Sequence, residues 1–218
     1  MFFCAGRGTR MLALTQDKPK PMIEVAGRPL IDHAIDAMRG VERRFANLHY
    51  HPEALEKHLS SAGIGSIFES DLLETGGGLK HALPQLNRDT VFTMNTDAVW
   101  SGPSPAQVLA QHWDPDQMDG LMLLIPKDRA IAHKGTGDFI SAPDDRLTRG
   151  AGDVYTGLQI IKTKYVGDIE QSHFSMNVAW ETLLARGTLF GAEYTGRWCD
   201  VGYPEAIPLA ETMLEHHP

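Results

Sequence analysis

The 218-residue sequence predicts an α/β fold with a mixed, mostly parallel central sheet flanked by helices. Two observations carry this. Short apolar, strand-like runs alternate with longer segments of helical period, and no internal repeat, low-complexity tract or linker composition divides the chain into separate domains.

Strands are expected at 2–4, 45–50, 66–69, 90–95 and 120–125. Between them, 30–38 places Ile31, Ile35 and Met38 on one helical face, and 52–59 opens with Pro52, whose missing N–H would be unpaired in a first helical turn anyway. The first half therefore reads as repeated β-α units. Beyond Pro126 the pattern loosens into Gly, Asp and Lys punctuation, with strand-like runs at 138–141 and 154–161. A helix at 176–185, a strand near 198–201 and a helix at 204–216 complete the chain. The run 2–4 is short for a central strand, usually about 5–6 residues, which points to residues upstream of Met1.

The formal charge of −8 argues against broad binding to nucleic acid or to an anionic membrane, since both require a basic surface. No apolar stretch approaches the roughly 20 residues of a membrane span, and no secretory leader opens the chain, so a cytoplasmic protein is expected. Cys4 and Cys199 lack metal-site or disulfide spacing and read as reduced thiols. The ten histidines are scattered, and the His216-His217 tail reads as a solvated end. Charge runs the other way between Ala5 and Arg28, where Arg7, Arg10, Lys18, Lys20 and Arg28 face only Asp17 and Glu24. That basic island suits a small anionic ligand.

Ala5-Gly6-Arg7-Gly8-Thr9-Arg10-Met11 follows a strand directly, so its backbone can approach a ligand closely with amides turned to phosphate oxygens. A dinucleotide fingerprint would need glycine where Met11 stands and a helix at once, and a P-loop would need a closing Gly-Lys-Ser/Thr. Neither is present. Lys20 lies between Pro19 and Pro21, which restrict the backbone and can aim the ammonium at a phosphate. Either segment alone also fits an exposed basic loop; their combination favours phosphate chemistry.

Asp97 follows the apolar run 91–94 and should emerge at the carboxyl end of a strand, as a metal ligand or as a turn or capping residue. Asp200 sits between Trp198-Cys199 and Val201-Gly202, a packed setting where an unpaired carboxylate is costly. Gly76-Gly77-Gly78 is an expensive way to begin a helix unless bare backbone is needed, and we infer contact with a flat nucleobase, the other reading being a hinge.

With these motifs the chain resembles the sugar-1-phosphate nucleotidyltransferase family, whose opening is a strand, Gly-x-Gly-Thr-Arg-Met, a spacer and Pro-Lys-Pro. The resemblance runs on through Glu74-Thr75-Gly76-Gly77-Gly78, Asn95-Thr96-Asp97, Gly137-Asp138-Phe139, Tyr155-Thr156-Gly157 and Trp198-Cys199-Asp200-Val201-Gly202. It implies one Rossmann-like, GT-A-like domain over 1–218, with 1–125 mainly binding the nucleotide and 126–218 mainly the sugar phosphate. It implies Mg²⁺ held by Asp97 and Asp200, and a nucleoside triphosphate bound by Ala5, Gly6, Gly8, Thr9, Arg10, Gly76, Gly77 and Asn95. Glu74 would support the base site. Asp138, Thr156 and Gly157 would contact the sugar 1-phosphate, with Arg10 and Lys20 as the catalytic cations and no obligatory protein partner. Thr96 departs from the family's usual Gly or Ala and is expected to tighten the nucleotide pocket.

Within the family, Leu73 to Gly78, His133 to Phe139 and Tyr194 to Gly202 are most like uridylyltransferases acting on N-acetylmuramate 1-phosphate; mannose- and heptose-phosphate guanylyltransferases share several of these motifs. The reading from a different class is a catalytically silent nucleotide or sugar-phosphate sensor. The lactyl carboxylate of N-acetylmuramate calls for a cation, with Arg28, Lys134 and Arg197 as candidates.

Overall fold

Gly120–Ile125 is buried along its whole length, which explains its uninterrupted apolar sequence: a strand covered on both faces has no solvent side to mark with polar residues. The computed structural model describes residues 1–216; His217, half of the tail discussed above, lies outside them. Seven strands form the main sheet in the order Leu189–Glu193, Gly120–Ile125, Val154–Lys162, Thr90–Asn95, Phe2–Phe3, Phe45–Leu48 and Gly65–Phe68. Val154–Lys162 runs antiparallel to both its neighbours, and the other pairings are parallel. The expected mixed, mostly parallel sheet is thus borne out.

Helices cover both faces. Ile31, Ala34, Leu55, Leu59 and Leu109 pack on one side, while Leu79, Ala82, Leu86, Ala179 and Leu183 pack on the other. A smaller sheet of Ala98–Ser101, Arg197–Asp200 and Ala130–Ile131 joins the C-terminal helix Ala206–His216 through Val99, Cys199, Val201, Ala210 and Met213.

The strands expected at 90–95 and 120–125 form as Thr90–Asn95 and Gly120–Ile125, and the expected helices form within about two residues of their predicted ends, as element boundaries usually do. Ala98–Ser101, the helix Pro105–His112 and Leu189–Glu193 were not anticipated. They are short, and two are punctuated by Pro or Gly.

Phe2–Phe3 is shorter even than expected yet lies centrally, because the Cys4 N–H leaves the ladder to donate to Asn47 Oδ1 at 2.8 Å. Met1 is buried, and its N–H donates to Phe92 O at 2.9 Å. From Phe2–Phe3 the chain proceeds to one side through Phe45–Leu48 and later to the other through Thr90–Asn95. Ligands bind beyond the carboxyl ends of strands at such a divergence.

Candidate active site

A cavity of about 450 Å³ opens at that place. Cys4, Ala5, Asn47, Asn95 and Thr96 form its base; Gly6, Gly8, Thr9, Arg10, Lys20 and Pro21 form one wall; Leu72, Glu74 and Thr75 form another. Gly8 has φ +62°, and a methyl there would come within 2.8 Å of Lys20 Cβ. The glycine turn thus serves the lysine as well as the ligand: it lets the two segments close on each other. Extended Pro19 leads into a single tight turn, Lys20–Met22, which directs the Lys20 ammonium to 3.0 Å from Asp97 Oδ2.

The two aspartates, distant in sequence, are joined by the smaller sheet. Asp200 pairs with Ala98 in the antiparallel ladder, and Val201 N–H donates to Asp97 O at 2.8 Å. Burial opposes ionisation of Asp97, but the charge and hydrogen bond of Lys20, with Arg10, outweigh it and hold the carboxyl below its usual range. For Asp200 burial and the Asp97 charge prevail over Lys20, Arg10 and His133, and its pKa is raised. Two carboxylates converge where the resident cations do not fully offset them.

That donor set fits a small hard divalent cation, which takes one or two protein carboxylates and completes an oxygen shell with phosphate and water. Among the described residues no group of three or more His, Cys, Asp or Glu side chains forms a self-sufficient metal site. An ion here would depend on phosphate ligands from the substrates.

Of the residues expected to bind nucleotide, Ala5, Gly6, Gly8, Thr9, Arg10 and Asn95 line the cavity, as Lys20 and Asp97 do; Asp200 does not line it but sits, with Arg10, against Gly202, which does. Gly76 and Gly77 do not, and the nucleobase explanation of the glycine run is corrected. A methyl on Gly76 would lie 2.4 Å from the Phe174 ring, and one on Gly77 would lie 2.2 Å from Ser172 O. The helix Glu74–Leu86 is bare there because the 172–174 segment packs onto it, and Gly77 N–H donates to Phe174 O at 2.9 Å. What this helix presents to the cavity is Glu74, in the left-handed region at φ 60°, and Thr75.

Thr156 is a second correction. Only 2% exposed, it donates through Oγ1 to Leu123 O at 2.7 Å, while its carbonyl accepts the Trp198 indole N–H. That hydroxyl is turned toward the neighbouring strand, and Thr156 is not among the residues lining the cavity. Asp138 accepts the Tyr155 N–H through Oδ2 at 2.9 Å. Gly157 forms a bulge at φ +91°, packed so closely on Asn95 that a methyl would come within 2.9 Å of its Cβ. The Thr96 hydroxyl donates to Phe3 O at 3.0 Å, so its extra atoms tie together the two strand ends that floor the cavity.

Two features escaped the sequence reading. Glu69, 1% exposed, accepts from Asn47 Nδ2 at 2.6 Å and from Leu73 N–H at 3.2 Å, linking the strand end at Cys4 to the 72–75 wall. A polar residue at the end of the strand expected at 66–69 was the available signal. His133 Nδ1 lies 3.9 Å from Asp200 Oδ2, and its position, set by tertiary folding, left no local trace.

The one cysteine at this cavity, Cys4, is pushed up to about 12 by burial and is no nucleophile. What converges instead is positive charge and carboxylates at a phosphate-sized turn, which is the equipment of a nucleotidyltransferase. The chain belongs to the MobA-like NTP transferase domain family, whose model matches residues 1–191. It is 38% identical over 231 residues to an N-acetylmuramate alpha-1-phosphate uridylyltransferase of Caulobacter vibrioides, covering 98% of this chain and 96% of the relative. A Neisseria meningitidis protein of the same name is 28% identical, with 93% and 92% covered. The inositol-1-phosphate CTP transferase structure from T. maritima superposes with a TM-score of 0.79 at 16% identity, over 98% of this chain and 94% of the other, a likeness of fold.

Proposed function

We propose that this enzyme transfers a uridylyl group from UTP to N-acetylmuramate 1-phosphate and releases pyrophosphate, as a Mg²⁺-dependent cytoplasmic step in the reuse of cell-wall sugars. The observation that carries the reading is the convergence of Asp97 and Asp200 beside Lys20 and Arg10 at the cavity. The acceptor and base follow from the names of the two relatives.

The acceptor's phosphate oxygen is already ionised at neutral pH, so no general base is required and the rate rests on in-line placement and charge stabilisation. In this reading the 5–10 loop amides and Arg10 hold the triphosphate, while Lys20 stabilises charge at the reacting phosphates. Glu74 and Thr75 border the base. Asp97 and Asp200 would hold Mg²⁺, which when bound supplies electrostatic neutralisation of the phosphate oxygens. Residues 1–125 serve mainly the nucleotide and 126–218 mainly the sugar phosphate within one domain, with Asp138 and the Gly157 bulge on the acceptor side.

The test is pyrophosphate release with Mg²⁺ from UTP, GTP, CTP and dTTP, each with N-acetylmuramate, N-acetylglucosamine and mannose 1-phosphates. Fastest turnover with UTP and N-acetylmuramate 1-phosphate is expected. A faster different pair would replace the named substrates, and ligand binding with no turnover of any pair would indicate a sensor.

A further inference from the structure

N-acetylmuramate differs from N-acetylglucosamine by a lactyl ether whose carboxylate is ionised at neutral pH, so an enzyme that prefers the former needs a cation beside its acceptor site. The three candidates occupy different places. Arg28 is held by Asp36 at 2.7 Å and lines a separate cavity with Trp100 and Tyr194. Arg197 begins the strand that ends at Asp200; three residues away, it projects from the opposite face and lies about 10 Å along the chain.

Ala132 turns the chain through a left-handed conformation at φ 61°, and Tyr203 Oη fixes that turn by donating to Ala132 O at 3.0 Å. The next residue, His133, reaches toward Asp200. Lys134 then lays its ammonium 3.5 Å from the centroid of the ring of Tyr203, the residue that follows Gly202 of the cavity wall in the chain. Among the described residues Lys134 makes no ion pair, in contrast to Lys20, which is engaged by Asp97, and Arg129, which is engaged by Glu193. An aromatic face attracts a cation without neutralising it, so the ammonium is held on the ring with its charge available.

We propose that Lys134 binds the lactyl carboxylate of the acceptor and thereby sets the preference for N-acetylmuramate 1-phosphate, an inference that rests on the acceptor proposed above. In this proposal the acceptor's phosphate approaches Asp97 and Asp200, and the lactyl group of the same sugar lies on the side of Asp200 where Ala132, Lys134 and Tyr203 pack together. The lysine's long stem lets its ammonium leave the ring and follow the carboxylate.

The experiment compares kcat/KM for N-acetylmuramate 1-phosphate and N-acetylglucosamine 1-phosphate, with UTP, in wild type, Lys134→Met and Lys134→Arg. Thermal melting checks that each variant is folded. The ratio of the two values is expected to fall about 10- to 100-fold in Lys134→Met, the usual effect of losing one charge-assisted contact, mainly through KM, and to recover largely in Lys134→Arg. A wild-type preference that survives Lys134→Met, or an equal fall with both sugars, overturns the assignment while leaving the acceptor reading standing. A wild type that does not favour N-acetylmuramate 1-phosphate removes that reading and this one with it.

Discussion

Lys20 is only 9% exposed, an unusual place for a lysine, and it is stabilised there by Asp97. Its ammonium is already desolvated and directed before any substrate arrives, so little reorganisation is needed as phosphate charge develops. Lys20→Ala should lower kcat about 10²- to 10³-fold, the usual effect of removing one electrostatic stabiliser, while disturbing folding far less. Steady-state kinetics with a urea unfolding curve on the same preparation will separate the two effects. The Pro-Lys-Pro sequence made this residue legible in advance. Thr156 was not legible in the same way, because a Thr-Gly pair at a bulge gives no local sign of which way the hydroxyl turns.

The helix Glu74–Leu86 shows what composition can and cannot disclose. Three glycines in its first turns announce that bare backbone is needed, but the approaching group, the 172–174 segment, lies about a hundred residues away. Gly77→Ala would normally gain about 1 kcal/mol of helix propensity. Here the added methyl meets Ser172 O, and we expect a net destabilisation of about 1–3 kcal/mol by urea denaturation, as for overpacking elsewhere. The UTP KM should rise as well, since Glu74 and Thr75 belong to the same turn. Thr90–Asn95 and Gly120–Ile125 were readable because each is a six-residue apolar-rich run between turns. The small sheet that joins Asp97 to Asp200 was not, because its pairing is non-local and its strands are short.

At the scale of the molecule, the sheet buries Met1 beside Phe92 and opens the substrate cavity beyond the carboxyl ends of Phe2–Phe3 and Thr90–Asn95. The carboxylate pair at the cavity is the account's central claim. The most direct test is pyrophosphate release against Mg²⁺ concentration for wild type, Asp97→Asn and Asp200→Asn, with melting curves to establish folding. The account predicts Mg²⁺-dependent wild-type turnover and a loss of at least about 10²-fold in each folded variant; turnover that persists in EDTA, or a variant within a few-fold of wild type, would contradict it.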